Sequence, residues 1–109
     1  MEISLPRPIE KFVRAENSGD VELMSDCFAP YATVRDADCY VEGVPAIKAW
    51  RARVKQVHDH SVTPVELKTS DGRASLRAIL SGRFSGSPMT TNFHFVLVND
   101  QIASLQIRE

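Results

Sequence analysis

In ATVRDADCYVEG, residues 32–43, two carboxylates stand two positions apart just beyond Val34. If TVRD is a strand, alternation puts Val34 and Asp36 on one face, and the chain then turns through Ala37 and Asp38. A carboxylate that shares an apolar face loses hydration. Its pKa rises and it becomes suited to moving protons near neutral pH. Asp36 is therefore the leading candidate acid/base, with Asp38 at the rim as a secondary one. The competing reading of a strand-end aspartate is a bond to its own backbone. A third acid, Glu16, follows Phe12 by one helical turn on an apolar stripe. It can face a pocket mouth or reach water at the helix end.

Other chemistry-bearing residues offer less. A D-x-D pair can hold a metal, but no further acid or histidine is spaced to complete a site, so neither metal nor cofactor is expected. His58-Asp59-His60 falls at a helix-to-strand junction, where exposed loop histidines are expected. Cys27 and Cys39 lie in no C-x-x-C spacing and read as packed, reduced thiols. Lys48, Arg51, Arg53 and Lys55 read as a solvated helix face.

The elements that must position these groups are well punctuated. Pro8 suits the first turn of a helix carrying Ile9, Phe12, Val13 and Glu16, and Asn17-Ser18-Gly19-Asp20 ends it and caps a second helix. Val21, Met24, Cys27 and Phe28 form that second stripe, and Pro30 stops it. Residues 33–36 and 39–41 suggest a short hairpin. Pro45 opens a third helix with Ile47, Trp50, Val54 and Val57 inward and Lys48, Arg51 and Lys55 outward. The rest is β: 62–69 and 73–81 flank Asp71-Gly72, and 89–98 and 101–108 flank Asn99-Asp100. Phe93, Phe95 and Leu97 alternate with Asn92, His94 and Val96. Ala103, Leu105 and Ile107 alternate with Ile102, Ser104 and Gln106. Three helices cover one sheet face only. The other face is expected to meet a second copy, with His94 on that side.

A chain of 109 residues at 43% hydrophobic and 25% charged composition reads as one domain, 1–109, with a core of its own. A formal net charge of −1 argues against nucleic acid as a partner. No apolar run approaches the ~20 residues of a membrane span. The start, MEISLPRPIE, lacks the apolar core of a secretory signal, so a cytoplasmic location is expected.

The order helix-helix-hairpin-helix-four strands, with NSGD at the first joint, CFAPYATVRDADCYVEG before the third helix and HFVLVNDQIASLQI at the end, resembles the nuclear transport factor 2-like superfamily. Within it the chain is most similar to the SnoaL-like polyketide cyclases and ketosteroid isomerase. The resemblance spans residues 7–108. It implies an α+β cone, α-α-β-β-α-β-β-β-β, whose curved, mostly antiparallel sheet wraps three helices around a pocket, and pairing of two copies through the outer face. It places Asp36 at the general-base position. Where ketosteroid isomerase has a tyrosine and a protonated aspartic acid as oxyanion donors, it places Phe12 and Phe93. Standard steroid isomerisation is therefore not expected, since losing a single donor costs roughly 100- to 1000-fold.

What is expected is a small apolar ligand enclosed by Phe12, Trp50, Phe93, Phe95, Leu105 and Ile107. Asp36 would catalyse a cyclisation, isomerisation, hydration or elimination on it. A carrier using the same pocket, or an adaptor working through the outer sheet, stays open as an alternative.

Overall fold

The computed structural model describes residues 4–37 and 39–108, so Asp38 lies outside the described residues. Helix α1 (Arg7–Ser18) carries Pro8 in its first turn and buries Ile9, Phe12, Val13 and Glu16 on one face. It stops at Gly19, whose φ of 79° lets its N–H reach back to Ala15 O at 2.9 Å. The Asp20 side chain accepts from Glu22 N–H at 3.1 Å. A 3-10 turn (Val21–Leu23) then runs into a one-turn helix α2 (Met24–Cys27).

Phe28 belongs not to that helix but to strand β1 (Phe28–Asp36), which is longer than the four residues expected from alternation. Pro30 is the reason, because the residue before a proline is pushed out of helical geometry and extends the chain early. β1 pairs antiparallel with β2 (Cys39–Glu42) and parallel with the last strand. Helix α3 (Val44–His58) follows, then β3 (Ser61–Ser70), β4 (Arg73–Ser81), β5 (Met89–Val98) and β6 (Gln101–Arg108). The six strands form one sheet in the order β2-β1-β6-β5-β4-β3. Asp71-Gly72 and Asn99-Asp100 turn the two hairpins with positive φ at all four residues, as tight two-residue turns require.

Two expectations about facing are corrected. In β6 the simple alternation fails: Val96 opposes Ser104 but Leu97 opposes Ile102, so Ala103 is an extra, bulged residue. The bulge restores parity with the interior. Ile102 is fully buried beside Leu105, and Ala103 does not join the core. In α3, Val57 is 58% exposed while Arg51 is only 5% exposed. Arg51 follows Ile47 by four residues and so shares its inward face, whereas the helix has rotated Val57 out to solvent.

The core gathers on the inner face of the sheet. Phe12 lies edge-on to Phe28, Phe93 and Phe95 with ring centroids 6.0, 5.7 and 5.6 Å apart. Ile9, Met24, Ile47, Leu76 and Ile102 fill in around the four rings. Asn17 ties α1 to this sheet, accepting from Val62 N–H at 2.6 Å and donating to Val62 O at 3.0 Å. No helix among the described residues is long and apolar enough to cross a membrane.

Candidate functional site

Asp36 is the last residue of β1, opposite Cys39 on β2 and Ile107 on β6, at the end of the sheet where Leu80 and Met89 also lie. Here the interior is hollow. An inner chamber of about 230 Å³ has Asp36, Arg51, His60, Phe84 and Phe93 among its walls. An outer hollow of about 400 Å³, with Arg35, Thr91 and Arg108 among its walls, shares Asp36, Leu80, Met89 and Ile107 with the first. The Asp36 carboxyl therefore stands where the two meet. Burial pushes its pKa above the ordinary carboxylate value; Arg51 opposes that shift and the charge of Glu16 adds to it.

Behind the chamber lies a buried ion cluster. Arg51 Nε donates to Glu16 Oε2 at 3.0 Å, and Arg51 Nη2 donates to Glu16 Oε1. His60 Nε2 lies 2.9 Å from Glu16 Oε1. The guanidinium carbon sits 4.5 Å over the Trp50 ring, which shields one of its faces. Burial alone would raise the pKa of Glu16, but the charge of Arg51 and the hydrogen bonds from His60 and Arg51 win and hold it below its ordinary value. Among the described residues, Arg51 Nη1, His60 Nδ1 and Thr91 Oγ1 are buried with no hydrogen-bond partner.

His60 reaches this position through a backbone device. Asp59 adopts a left-handed conformation at φ 47° and donates its N–H to Lys55 O at 2.7 Å, so the chain leaves α3 turning inward. Lys55 Nζ then donates to His60 O and, at 3.2 Å, to Asn17 O. Gly82 lets β4 press against this corner, since a Cβ there would lie 2.7 Å from His58 O. The expectation of exposed histidines is thus corrected for His60, which is 2% exposed. His58 is half-buried, with Nδ1 3.2 Å from Arg83 O and its ring edge-on to Phe84.

The basic run is not one solvated face either. Arg51 is inside, Lys48 pairs with Glu22 at 2.9 Å, and Lys55 is engaged as described. Burial pushes the Cys27 thiol up to about 12, and Cys39 is a half-buried free thiol. His94 sits on the outer face, with Nδ1 2.9 Å from Ser75 Oγ.

Of the expected walls, Phe93 and Ile107 line the chamber. Phe12, Phe95 and Leu105 are packed solid in the core, and Trp50 supports Arg51 instead of facing the cavity. Val54, Leu80, Phe84 and Met89 line the chamber in their place. Glu16 faces inward but ends on Arg51 and His60, not in the open hollow. Arg51 and His60 themselves went unforeseen. For Arg51 a signal existed: an arginine on the Ile47 face of α3 and a glutamate on the Phe12 face of α1, each four residues on, are opposite charges on two apolar stripes.

A family model for the SnoaL-like domain matches residues 9–105. The chain belongs to this family. Among solved structures, a candidate polyketide cyclase from Sinorhizobium meliloti is 34% identical, with 95% of each chain covered and a TM-score of 0.91. A protein of ketosteroid isomerase-like fold from Catenulispora acidiphila, in complex with trimethylamine, is 18% identical at a TM-score of 0.86, covering 97% of this chain and 87% of its own. A candidate isomerase of the SnoaL-like family from Agrobacterium tumefaciens is 13% identical at 0.78, covering 93% and 92%. The last two show the shared fold, an α+β cone of the nuclear transport factor 2 and ketosteroid isomerase type. No curated protein matches the SnoaL-like chain.

Proposed function

We propose that this SnoaL-like protein takes a small, largely apolar molecule into the inner chamber and moves a proton on it with Asp36. The observation that carries this reading is Asp36, the one acid among the described residues that lines both the largely apolar chamber and its vestibule, with its pKa raised by burial. Such a group suits removal of a proton beside a carbonyl. Cyclisation and isomerisation both begin with that step, which is the chemistry named for the Sinorhizobium and Agrobacterium relatives.

The test is deuterium uptake at the carbon beside the carbonyl in a panel of small cyclic ketones and β-ketoesters, followed by NMR in heavy water. Wild-type protein accelerates uptake on at least one compound, and Asp36→Asn loses about 100- to 10,000-fold of that acceleration. Acceleration that survives Asp36→Asn defeats the reading.

A second reading, carriage without turnover, is favoured by Phe93 on the chamber wall and Phe12 in the core, neither of which can donate a hydrogen bond; the resemblance to ketosteroid isomerase sets them at that enzyme's two donor positions. It predicts tight binding, no deuterium uptake, and an affinity little changed by Asp36→Asn. In either reading two copies pair across the outer sheet face, supported by exposed Ile79 and half-exposed Val96 there. Sedimentation equilibrium giving only a monomer would remove that part.

A further inference from the structure

We propose that Arg51 is the oxyanion donor of this site, its unpartnered Nη1 taking the negative charge that leaves Asp36, and that the ligand class is a neutral carbonyl compound. This rests on Asp36 acting as the base. Phe93 on the chamber wall can donate nothing and Phe12 lies in the core, so a donor must come from another residue of the wall. Arg51 lines the chamber, is 5% exposed, and has two of its three nitrogens already on Glu16. Of its three nitrogens Nη1 alone is buried and unpaired, a state that His60 Nδ1 and Thr91 Oγ1 share among the described residues; of the three, only Nη1 belongs to a permanently cationic donor. A buried donor without a partner is costly to the fold, so a group held in that state calls for a partner, which a ligand oxygen would supply.

Charge conservation sets the ligand class. Among the described residues, Glu16 cancels Arg51, Asp36 supplies the remaining negative charge on the chamber wall, His58 and His60 are the other titratable groups there, and Arg35 and Arg108 stand in the outer hollow. A carboxylate ligand in the inner chamber, where Arg51 is already paired with Glu16, would add a second negative charge beside Asp36. A neutral ketone or ester adds none. When Asp36 takes the α-proton, the C–H bond breaks, its electron pair forms the carbon–carbon double bond, and the carbonyl π pair moves onto oxygen. The negative charge migrates from Asp36 to that oxygen with the total unchanged, and Nη1–H is the donor assigned to receive it. Asp36 then returns the proton to another carbon, or the enolate carbon attacks a second carbonyl, whose π pair moves onto its oxygen and takes the proton back from Asp36. Glu16 and His60 are positioning residues: His60 holds Glu16 Oε1, and Glu16 fixes the guanidinium so that it cannot swing toward solvent.

4-Nitrophenol mimics this redistribution, because handing its proton to Asp36 leaves one negative oxygen on a flat ring. 4-Nitroanisole has nearly the same shape and no acidic proton, and 4-nitrobenzoate arrives as an anion. With wild-type protein below the phenol's own pKa, bound 4-nitrophenol is expected to show the phenolate absorption band and to shift the Arg51 side-chain N–H signals in NMR. 4-Nitrobenzoate should bind at least ten-fold more weakly. The charge-balanced double variant E16Q/R51M should lose the phenolate band while keeping 4-nitroanisole binding. In wild type the band should appear with no net proton release to the buffer, because Asp36 keeps the proton; in D36N any phenolate that binds should release its proton to the buffer.

A bound phenol that stays neutral in wild type, with Arg51 signals unmoved, overturns the inference and needs no variant to fold. A band that persists in E16Q/R51M overturns Arg51 and leaves Asp36 standing. A band in wild type that comes with full release of the phenol proton to the buffer overturns the Asp36 reading. Failure of wild type to bind either nitrophenol or nitroanisole overturns both.

Discussion

Phe12, Phe28, Phe93 and Phe95 meet edge-to-face on the inner side of the sheet, each at most 1% exposed, and leave no room for a ligand. A short distance along the same sheet face, past Phe93, the wall changes to Asp36, Arg51 and His60 around a chamber of about 230 Å³. The first region is held by close packing alone, so its tolerance of lost volume is small. The second is held by an ion cluster in which Glu16 offsets Arg51 while Arg51 Nη1 and His60 Nδ1 stay unpartnered, so charge pairing instead of close packing shapes its wall. Phe93 belongs to both, and the solid part acts as the floor against which the hollow part is shaped.

The contrast can be broken at either end. Phe12→Ala removes the ring that three others touch and should cost about 3–5 kcal/mol in urea denaturation. A loss below about 1 kcal/mol would mean that the packed region is looser than its contacts imply. Arg51→Met leaves Glu16 buried without its partner and should cost about 3–5 kcal/mol, most of it recovered in E16Q/R51M. If the double variant is no more stable than R51M alone, the orphaned acid is not the source of the loss.

Acid sharpens the same comparison. The folded-state pKa of Glu16 is lowered, so between that value and the ordinary one the unfolded chain binds more protons. The stability from this cluster is complete above the ordinary carboxylate range and drains away as pH falls through it and below. Asp36 has the opposite sign: its raised pKa favours the folded state at low pH and works against it as pH rises through the folded value. Denaturation midpoints against pH should therefore show E16Q/R51M less acid-sensitive than wild type. The smallest effect is on Asp36 itself: Asp36→Asn should gain about 0.5–1 kcal/mol at neutral pH, as expected where a site holds a group for chemistry at some cost to the fold. A loss of stability instead would make Asp36 a structural residue.

Much of the frame was legible because its signals are local. Gly19 after Ser18, Asp71-Gly72 and Asn99-Asp100 each demand a left-handed backbone, and they fixed the element boundaries from residue type alone. Strand parity likewise carried Asp36 to the interior face. Parity failed in β6, because the extra residue at Ala103 shows itself only when β5 lies alongside to be counted against.

The site followed the same division. The acid on β1 could be named from Val34 and the period of two. The walls were misassigned in part, since an apolar residue looks the same in sequence whether it faces a cavity or another side chain; Phe12, Phe95 and Leu105 proved to be filling and Val54, Leu80, Phe84 and Met89 lining. Arg51 and His60 were read as outward because charge and junction position favour water for a residue considered singly.

What the chain determined by itself is the set of elements, their order and the inward facing of one aspartate, all consequences of backbone preference and periodicity over a few residues. Only the folded structure decided that Glu16, Arg51 and His60 share one buried cluster, across 35 residues between the first two and 9 between the last. Burying a charge is favourable only when its partner arrives at the same place, and that partner is supplied by packing α1, α3 and β3 together, not by anything written next to it.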